Sequence, residues 1–174
     1  MWLDRTLESM HQALAPLLGL SLPSGETQVW DEASYFAELS ASCPAAASGA
    51  RRVVEWAAGA GCDVRWGRRG KYAYVNVFVP SESGPKLMLR LYRDNAIAVT
   101  MNYLKGAAAF ASDEARMEPR DRLNRAELLR FDVIDGEPWF PITMLCESDT
   151  RAGFLDALAW VVEKAGRTAS GSDA

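Results

Sequence analysis

The sequence predicts an α+β domain in which an antiparallel four-stranded meander is packed on one face by two or more helices. Three observations lead to this fold class. Apolar residues alternate with other residues between Val64 and Met101, which is the spacing of strands with one buried face. Turn-forming residues divide this region at short intervals, as in a meander. Segments with apolar residues at helical spacing lie before and after it.

The composition is that of a folded domain with a core. The chain has 174 residues, of which 49% are hydrophobic and 24% are charged. Its net charge of -4 argues against bulk electrostatic binding to nucleic acid or to an anionic membrane, so a polyanion site would have to be local. Three separated cysteines without a CxxC motif indicate a reducing cytoplasm. We expect a cytoplasmic protein without a membrane span or a secretory signal.

The chain divides into three parts. Residues 1–27 are expected to form an N-terminal amphipathic helix and a linker, because apolar residues recur at helical spacing before the turn-rich segment 21–27. Residues 28–166 are expected to form a single α+β domain. Residues 167–174 end in TASGSDA, which is typical of a flexible tail.

At least three helices are expected within the domain. A short helix contains Tyr35 and its apolar neighbours. A second helix begins near Pro44, which suits the first turn of a helix, and ends near Gly59. A third begins at Ser148 or Asp149 and runs to about residue 164. The two longer helices can cover one face of the meander, which makes a two-layer architecture the economical arrangement.

The alternation of apolar residues also sets the register of the strands. One aliphatic face is expected to contain Val64, Ala73, Val75, Val77, Val79, Leu87, Leu89, Leu91, Ile97, Val99 and Met101. A three-residue loop at residues 93–95 keeps the last strand on this face, and Asn95 tolerates the left-handed conformation that such a loop needs. A four-residue loop at residues 67–70 likewise pairs Trp66 with Lys71 and puts Val64 beside Ala73.

The opposite face is the candidate binding surface. This register assigns to it Arg65, Tyr72, Tyr74, Asn76, Phe78, Met88, Arg90 and Tyr92, beside the small residues Ala96, Ala98 and Thr100. Rings and guanidinium planes on a sheet stack on the bases of single-stranded nucleic acids. We therefore expect five residues to stack or pair with a ligand: Arg65, Tyr72, Tyr74, Arg90 and Tyr92. Arg68, Arg69 and Lys71 at the hairpin tip are expected to contact phosphate.

Two other interpretations of this face stay open. A helix that contains Leu123, Leu128 and Leu129, or the N-terminal helix, can cover it, and Ala96 and Ala98 leave room for such a helix. The charges at the hairpin tip are also explained by solvation alone.

The sequence lacks the residue patterns of the common catalytic centres. Its only histidine, His11, lies outside the expected main domain, so a His-assisted nucleophile or a His-ligated metal is hard to assemble. The segment WGRRGKY lacks the GK[ST] of a phosphate-binding loop and joins two strands. We expect no catalytic residue, no metal site and no cofactor.

Three segments resemble a small bacterial domain family. They are WDEASYFAEL at residues 30–39, ARRVVEWAAGAGCDVRWGRRGKYA at 50–73 and PWFPITMLCESDTRAGFLDALAWVVEKAG at 138–166. The shared pattern is an aromatic-led helix, a helix ending in Trp-Ala, a strand entering a Trp-Gly hairpin, and a Pro-containing stretch before a Trp-bearing helix. The resemblance implies an α+β domain without a catalytic motif. Relatives have a Gly-x-Gly hairpin where this chain has the segment 67–70.

These observations favour a non-enzymatic binding or accessory module whose ligand is nucleic acid or a partner nuclease. A first alternative is a protein-protein interaction module that docks through its N-terminal helix. A second alternative, ranked last, is a metal-dependent nuclease that uses Asp63 and Glu82 as magnesium ligands.

Overall fold

The computed structural model describes residues 30–67, 74–126 and 134–167. The helices among them are α1 (Glu32–Ser42), α2 (Pro44–Gly59), the short α3 (Met101–Leu104), α4 (Asp113–Arg125) and α5 (Ser148–Arg167). The strands are β1 (Asp63–Trp66), β2 (Tyr74–Val79), β3 (Lys86–Tyr92), β4 (Ala96–Val99) and β5 (Trp139–Pro141). Two 3-10 turns lie at Ala108–Phe110 and Ile142–Cys146. The expected N-terminal helix and C-terminal tail lie outside the described residues.

The α+β class with an antiparallel sheet is confirmed, but the sheet has five strands among the described residues where the sequence predicts four. The strands are in the order β1-β2-β3-β4-β5, and each pairs antiparallel with the next. The additional strand, β5, has only three residues, Trp-Phe-Pro. A segment this short is below the length at which alternation becomes recognisable.

Local sequence explains where the first two helices begin. The Asp31 carboxylate accepts a hydrogen bond from the Ser34 backbone N–H at 2.7 Å, and the Ser34 hydroxyl accepts one from the Asp31 N–H at 3.2 Å. This reciprocal pair caps α1. Pro44 begins α2, where its missing N–H costs no helical hydrogen bond.

The main core lies between the aliphatic face of the sheet and the helices. Strand residues on this face that are at most 1% exposed include Val75, Val77, Val79, Leu89, Leu91, Ile97 and Val99. From the edge strand β5, Phe140 joins them opposite Ile97, and its ring meets Phe154 of α5 edge-on at 5.4 Å. Helix α2 contacts β1, α5 contacts β2, and α4 packs on α5. The two longest of the described helices, α2 and α5, therefore belong to the layer that covers the aliphatic face.

The loop between β3 and β4 has three residues, as the sequence predicts. Leu91 lies opposite Ile97, and Asn95 has a φ of 65°. Asn95 also ties the loop to the segment after β5, because its side-chain oxygen accepts a hydrogen bond from the Thr143 N–H at 3.0 Å.

The predicted pairing of the first hairpin is wrong. Trp66 lies opposite Val75, and the Gly67 N–H donates to the Tyr74 carbonyl at 2.9 Å, so the loop is longer than four residues. The difference between Lys71 and Val75 is four positions, an even number. Val64 therefore keeps its place on the aliphatic side, opposite Val77. The hydrophobic pattern fixes the face of a strand but leaves even-numbered shifts undecided.

A β-bulge corrects the assignment of faces at the start of β3. The register shifts between Val77 and Phe78, and Phe78 lies opposite Leu87. As a result Met88, which the sequence assigns to the face opposite the aliphatic one, is fully buried in the main core. Leu87 is buried but lies outside that cluster. Met101 also leaves the predicted strand, because β4 ends at Val99 and α3 begins at Met101.

Candidate functional site

The second face of the sheet has a row of side chains that crosses all five strands. Arg65 lies opposite Asn76, Asn76 opposite Arg90, Arg90 opposite Ala98, and Ala98 opposite Trp139. Residues directly opposite each other in an antiparallel pair share a face. We use the name aromatic face for the surface formed by Arg65, Tyr74, Asn76, Phe78, Arg90, Tyr92, Tyr103 and Trp139.

Arg90 is at the centre of this surface. Its guanidinium carbon lies 5.5 Å from the ring centroid of Tyr74 and 5.5 Å from that of Tyr103, within the range of cation–π attraction. Its Nη1 donates to Oε2 of Glu137 at 3.0 Å, and its Nε donates to Oδ1 of Asn76 at 3.4 Å. The Arg90 side chain is 23% exposed, so solvent reaches a group that is held on several sides.

The electrostatic surroundings keep this guanidinium charged. Burial lowers the pKa of Arg90. This effect is outweighed by a hydrogen bond with Tyr103, by the charge of Glu137 and by interactions with Tyr92, so the net shift of the pKa is upward. Arg90 therefore presents a permanent positive charge on the aromatic face.

Two tyrosines on neighbouring strands extend the surface towards the first hairpin. Tyr74 lies opposite Tyr92, and their rings meet edge-on with centroids 6.0 Å apart. Both side chains are half-buried. This arrangement fixes the ring planes, which reduces the conformational entropy that binding would otherwise cost.

Arg65 lies at the β1 edge of the same surface. Its guanidinium carbon is 4.5 Å from the Phe78 ring centroid, and its Nη2 is 2.6 Å from the Asp63 carboxylate. Both members of this ion pair are about half exposed, at 55% and 47% of their side-chain area. Arg65 and Arg90 thus each have a carboxylate partner.

Trp139 and Tyr103 are the residues of this surface that the sequence reasoning missed. Trp139 is 69% exposed, although Trp is highly buried on average in folded proteins, and Tyr103 is 44% exposed. A three-residue strand and a one-turn helix position them, and neither element has a period that shows in the sequence. The available signal was the adjacent pair Trp139-Phe140, which in a strand must point to opposite faces.

Four of the eight sequence-predicted site residues share the aromatic face, namely Arg65, Tyr74, Arg90 and Tyr92. The other four, Arg68, Arg69, Lys71 and Tyr72, lie outside the described residues. Thr100, also assigned to this face, is buried, and its hydroxyl donates to the Leu87 carbonyl at 2.8 Å.

The described part of the helix that contains Leu123 packs in the main core rather than on the aromatic face. Leu123 is buried in the main core, and its helix, α4, packs on α5 on the aliphatic side. Leu128 and Leu129 lie outside the described residues. Tyr74, Asn76, Phe78, Arg90 and Tyr92 all retain partial exposure.

The described residues give little support to the magnesium-site alternative. Asp63 is in an ion pair with Arg65, and Glu82 lies in the turn between β2 and β3. Within residues 30–67, 74–126 and 134–167, no three side chains of His, Cys, Asp or Glu are grouped so that they could hold a metal ion.

No helix in the described part of the chain is both long enough and apolar enough to cross a membrane. Neither a protein-family model, nor a curated protein, nor a solved structure matches this chain. The resemblance of its segments to a bacterial domain family therefore stays a prediction.

Proposed function

We propose that the chain is a non-enzymatic binding module that holds single-stranded nucleic acid on the aromatic face. The observation that carries this proposal is the row from Arg65 to Trp139, which crosses all five strands and ends in a tryptophan that is 69% exposed. Four inter-strand spacings of about 4.8 Å make the row roughly 19 Å long. This length accommodates more than one stacked base.

The chemistry of the surface matches the two parts of a nucleotide. Trp139, Tyr103 and the Tyr74–Tyr92 pair offer flat apolar surface to bases, and every base has a π-face that can stack on it. Arg65 and Arg90 offer charge-assisted hydrogen bonds to phosphate. The sequence predicts that Arg68, Arg69 and Lys71, at the tip of the first hairpin, also contact phosphate.

Single strands fit this surface better than duplexes. The bases of a duplex are stacked on each other, so exposed rings on a sheet have no base face to contact. The net charge of -4 also argues against binding by charge alone. We therefore assign the affinity mainly to stacking, with phosphate contacts setting position.

Fluorescence anisotropy of a short labelled oligothymidylate tests the proposal. Trp139→Ala should weaken binding roughly 5- to 150-fold, because one stacked base contributes about 1–3 kcal/mol. The matched control is Met117→Ala, which removes another exposed apolar side chain, 42% exposed, from α4, the helix that packs on α5. Binding to wild-type protein should also weaken as salt rises.

Three results would contradict this proposal. No binding by the wild-type chain would favour a protein as the partner of the aromatic face. Equal affinity of the Trp139→Ala and Met117→Ala proteins would mean that the ligand does not stack on Trp139. Equal competition by a duplex of the same length would mean that the surface has no preference for single strands.

A further inference from the structure

The Arg90–Glu137 ion pair lies in the middle of the aromatic face. Its Nη1–Oε2 distance is 3.0 Å, and the two side chains retain 23% and 27% of their exposure. Tyr74 and Tyr103 lie next to the guanidinium, and Asn76 accepts from its Nε. A carboxylate thus already occupies the position at which a ligand anion would meet Arg90.

The backbone around Glu137 places this carboxylate independently of its bond to Arg90. The Pro138 carbonyl accepts a hydrogen bond from the Val99 N–H at 2.9 Å, and the Gly136 carbonyl accepts one from the Asn102 N–H at 3.2 Å. Gly136 has a φ of 128°, a conformation that other residues rarely adopt. The segment is therefore attached to β4 and α3 on both sides of Glu137. The Glu137 side chain can rotate away from Arg90 without a change in the fold.

We propose that Glu137 occupies a phosphate subsite at Arg90, and that a nucleic-acid phosphate binds there by displacing the Glu137 carboxylate. This inference rests on the proposed function. A phosphate oxygen accepts the same charge-assisted hydrogen bond from Nη1 that the carboxylate accepts. The rings of Tyr74 and Tyr103 keep the guanidinium in place during the exchange.

Competition of this kind makes Glu137 a determinant of specificity. A free anion gains only the Arg90 bond and must break the existing ion pair, so the exchange brings it little net affinity. A nucleotide phosphate that is attached to a base stacked on Tyr103 or Trp139 arrives at high effective concentration and displaces the carboxylate. Glu137 thus selects ligands that combine an anion with an adjacent ring.

The test measures oligothymidylate binding by the full chain with Glu137→Gln. We expect the affinity to rise on the order of 5- to 10-fold, because a carboxylate near the phosphate is removed. We also expect the slope of log K against log salt to stay as in the wild-type chain, because the same phosphate is neutralised at Arg90 in both proteins. A gain in affinity with an unchanged slope distinguishes the removal of a competing carboxylate from the creation of a new phosphate contact.

Two variants serve as controls. Glu118→Gln removes the same charge from α4, where Glu118 pairs with Arg122 at 2.8 Å, and should leave both affinity and slope as in the wild-type chain. Adding Arg90→Gln to Glu137→Gln should abolish the gain. If the Gln variant unfolds, as judged by circular dichroism, Glu137→Ala takes its place with the same expectation.

The outcomes separate this inference from the proposed function. If the wild-type chain binds through Trp139 but Glu137→Gln binds no more tightly than Glu118→Gln, the phosphate subsite is wrong and the binding face stands. If neither the wild-type chain nor any variant binds, both proposals fail.

Discussion

Arg90 and Trp139 lie on the same face of the sheet, two strands apart, because each is directly opposite Ala98. Phe140, the next residue after Trp139, points to the other face and packs against Phe154 in the core. Two adjacent aromatic residues on one short strand therefore have separate roles. One is exposed to solvent, and the other contributes to the stability of the fold.

This difference in exposure predicts that an alanine substitution lowers the stability of the fold at Phe140 but hardly changes it at Trp139. Trp139→Ala should change the free energy of unfolding by less than about 0.5 kcal/mol, because the side chain is mostly exposed. Phe140→Ala should lower it by about 3–5 kcal/mol, as expected for removal of a buried ring. Urea denaturation followed by circular dichroism measures both values. Equal losses of stability would mean that Trp139 is packed against the protein.

Two substitutions of Asn95 should lower the stability of the fold to different extents. It has a φ of 65°, and its side chain bonds the Thr143 N–H at 3.0 Å and the Thr143 hydroxyl at 3.3 Å. Asn95→Ala should destabilise by about 1–3 kcal/mol, since it loses these bonds and strains the left-handed backbone. Asn95→Gly should cost less because it relieves the strain. Urea denaturation of both variants tests this order, with Asp94→Ala, at an exposed neighbouring position, as the control.

Two glycines should respond to alanine in opposite directions. A Cβ at Gly67 would lie 2.6 Å from the Tyr74 carbonyl oxygen, so Gly67→Ala must displace the backbone where β1 meets β2. We expect a loss of about 1–3 kcal/mol. Gly59, the last residue of α2, has open space around it, and Gly59→Ala should stabilise by about 0.5–1 kcal/mol. Thermal unfolding distinguishes them, and a stable Gly67→Ala protein would contradict the close contact.

The cysteines should differ in reactivity. Burial raises the pKa of the Cys62 thiol to about 11, which lowers its thiolate fraction near neutral pH. Cys146 is exposed, although its thiol lies 3.4 Å from the Ala45 carbonyl. At pH near 8, iodoacetamide should modify Cys146 well before Cys62, as measured by mass spectrometry of the peptides. Faster modification of Cys62 would show that its environment is open to water.

The raised pKa of Cys62 also has a consequence for stability. Folding favours the protonated thiol, so this contribution is fully present below the ordinary pKa of 9.0 and is lost as pH rises towards about 11. Cys62→Ala should therefore lose less stability than the wild-type chain over that interval. An identical pH dependence of the two proteins would contradict the shift.

Much of the fold follows from the sequence because burial selects one face of each strand. The alternation of valines and leucines correctly predicts Val75, Val77, Val79, Leu89, Leu91, Ile97 and Val99 on the aliphatic face, and Asn95 predicts the loop between β3 and β4. A register shift of one residue would move the apolar side chains of a strand to the opposite face of the sheet, so the hydrophobic pattern excludes such a shift.

The errors occur where that constraint is weak. Pairing Trp66 with Lys71 or with Val75 leaves the same residues buried, so alternation cannot choose between them. The bulge at Met88 places one extra residue in β3, and the resulting apolar run Leu87-Met88-Leu89 is compatible with either register. At the candidate site, Trp139 was missed because tertiary pairing alone makes its segment a strand.

The row from Arg65 to Trp139 takes one residue from each of the five strands. No hairpin or fragment therefore contains the surface, and a nascent chain acquires it only when residue 139 has left the ribosome and docked beside β4. A ligand that needs the whole row would therefore bind only chains in which all five strands of the sheet have assembled.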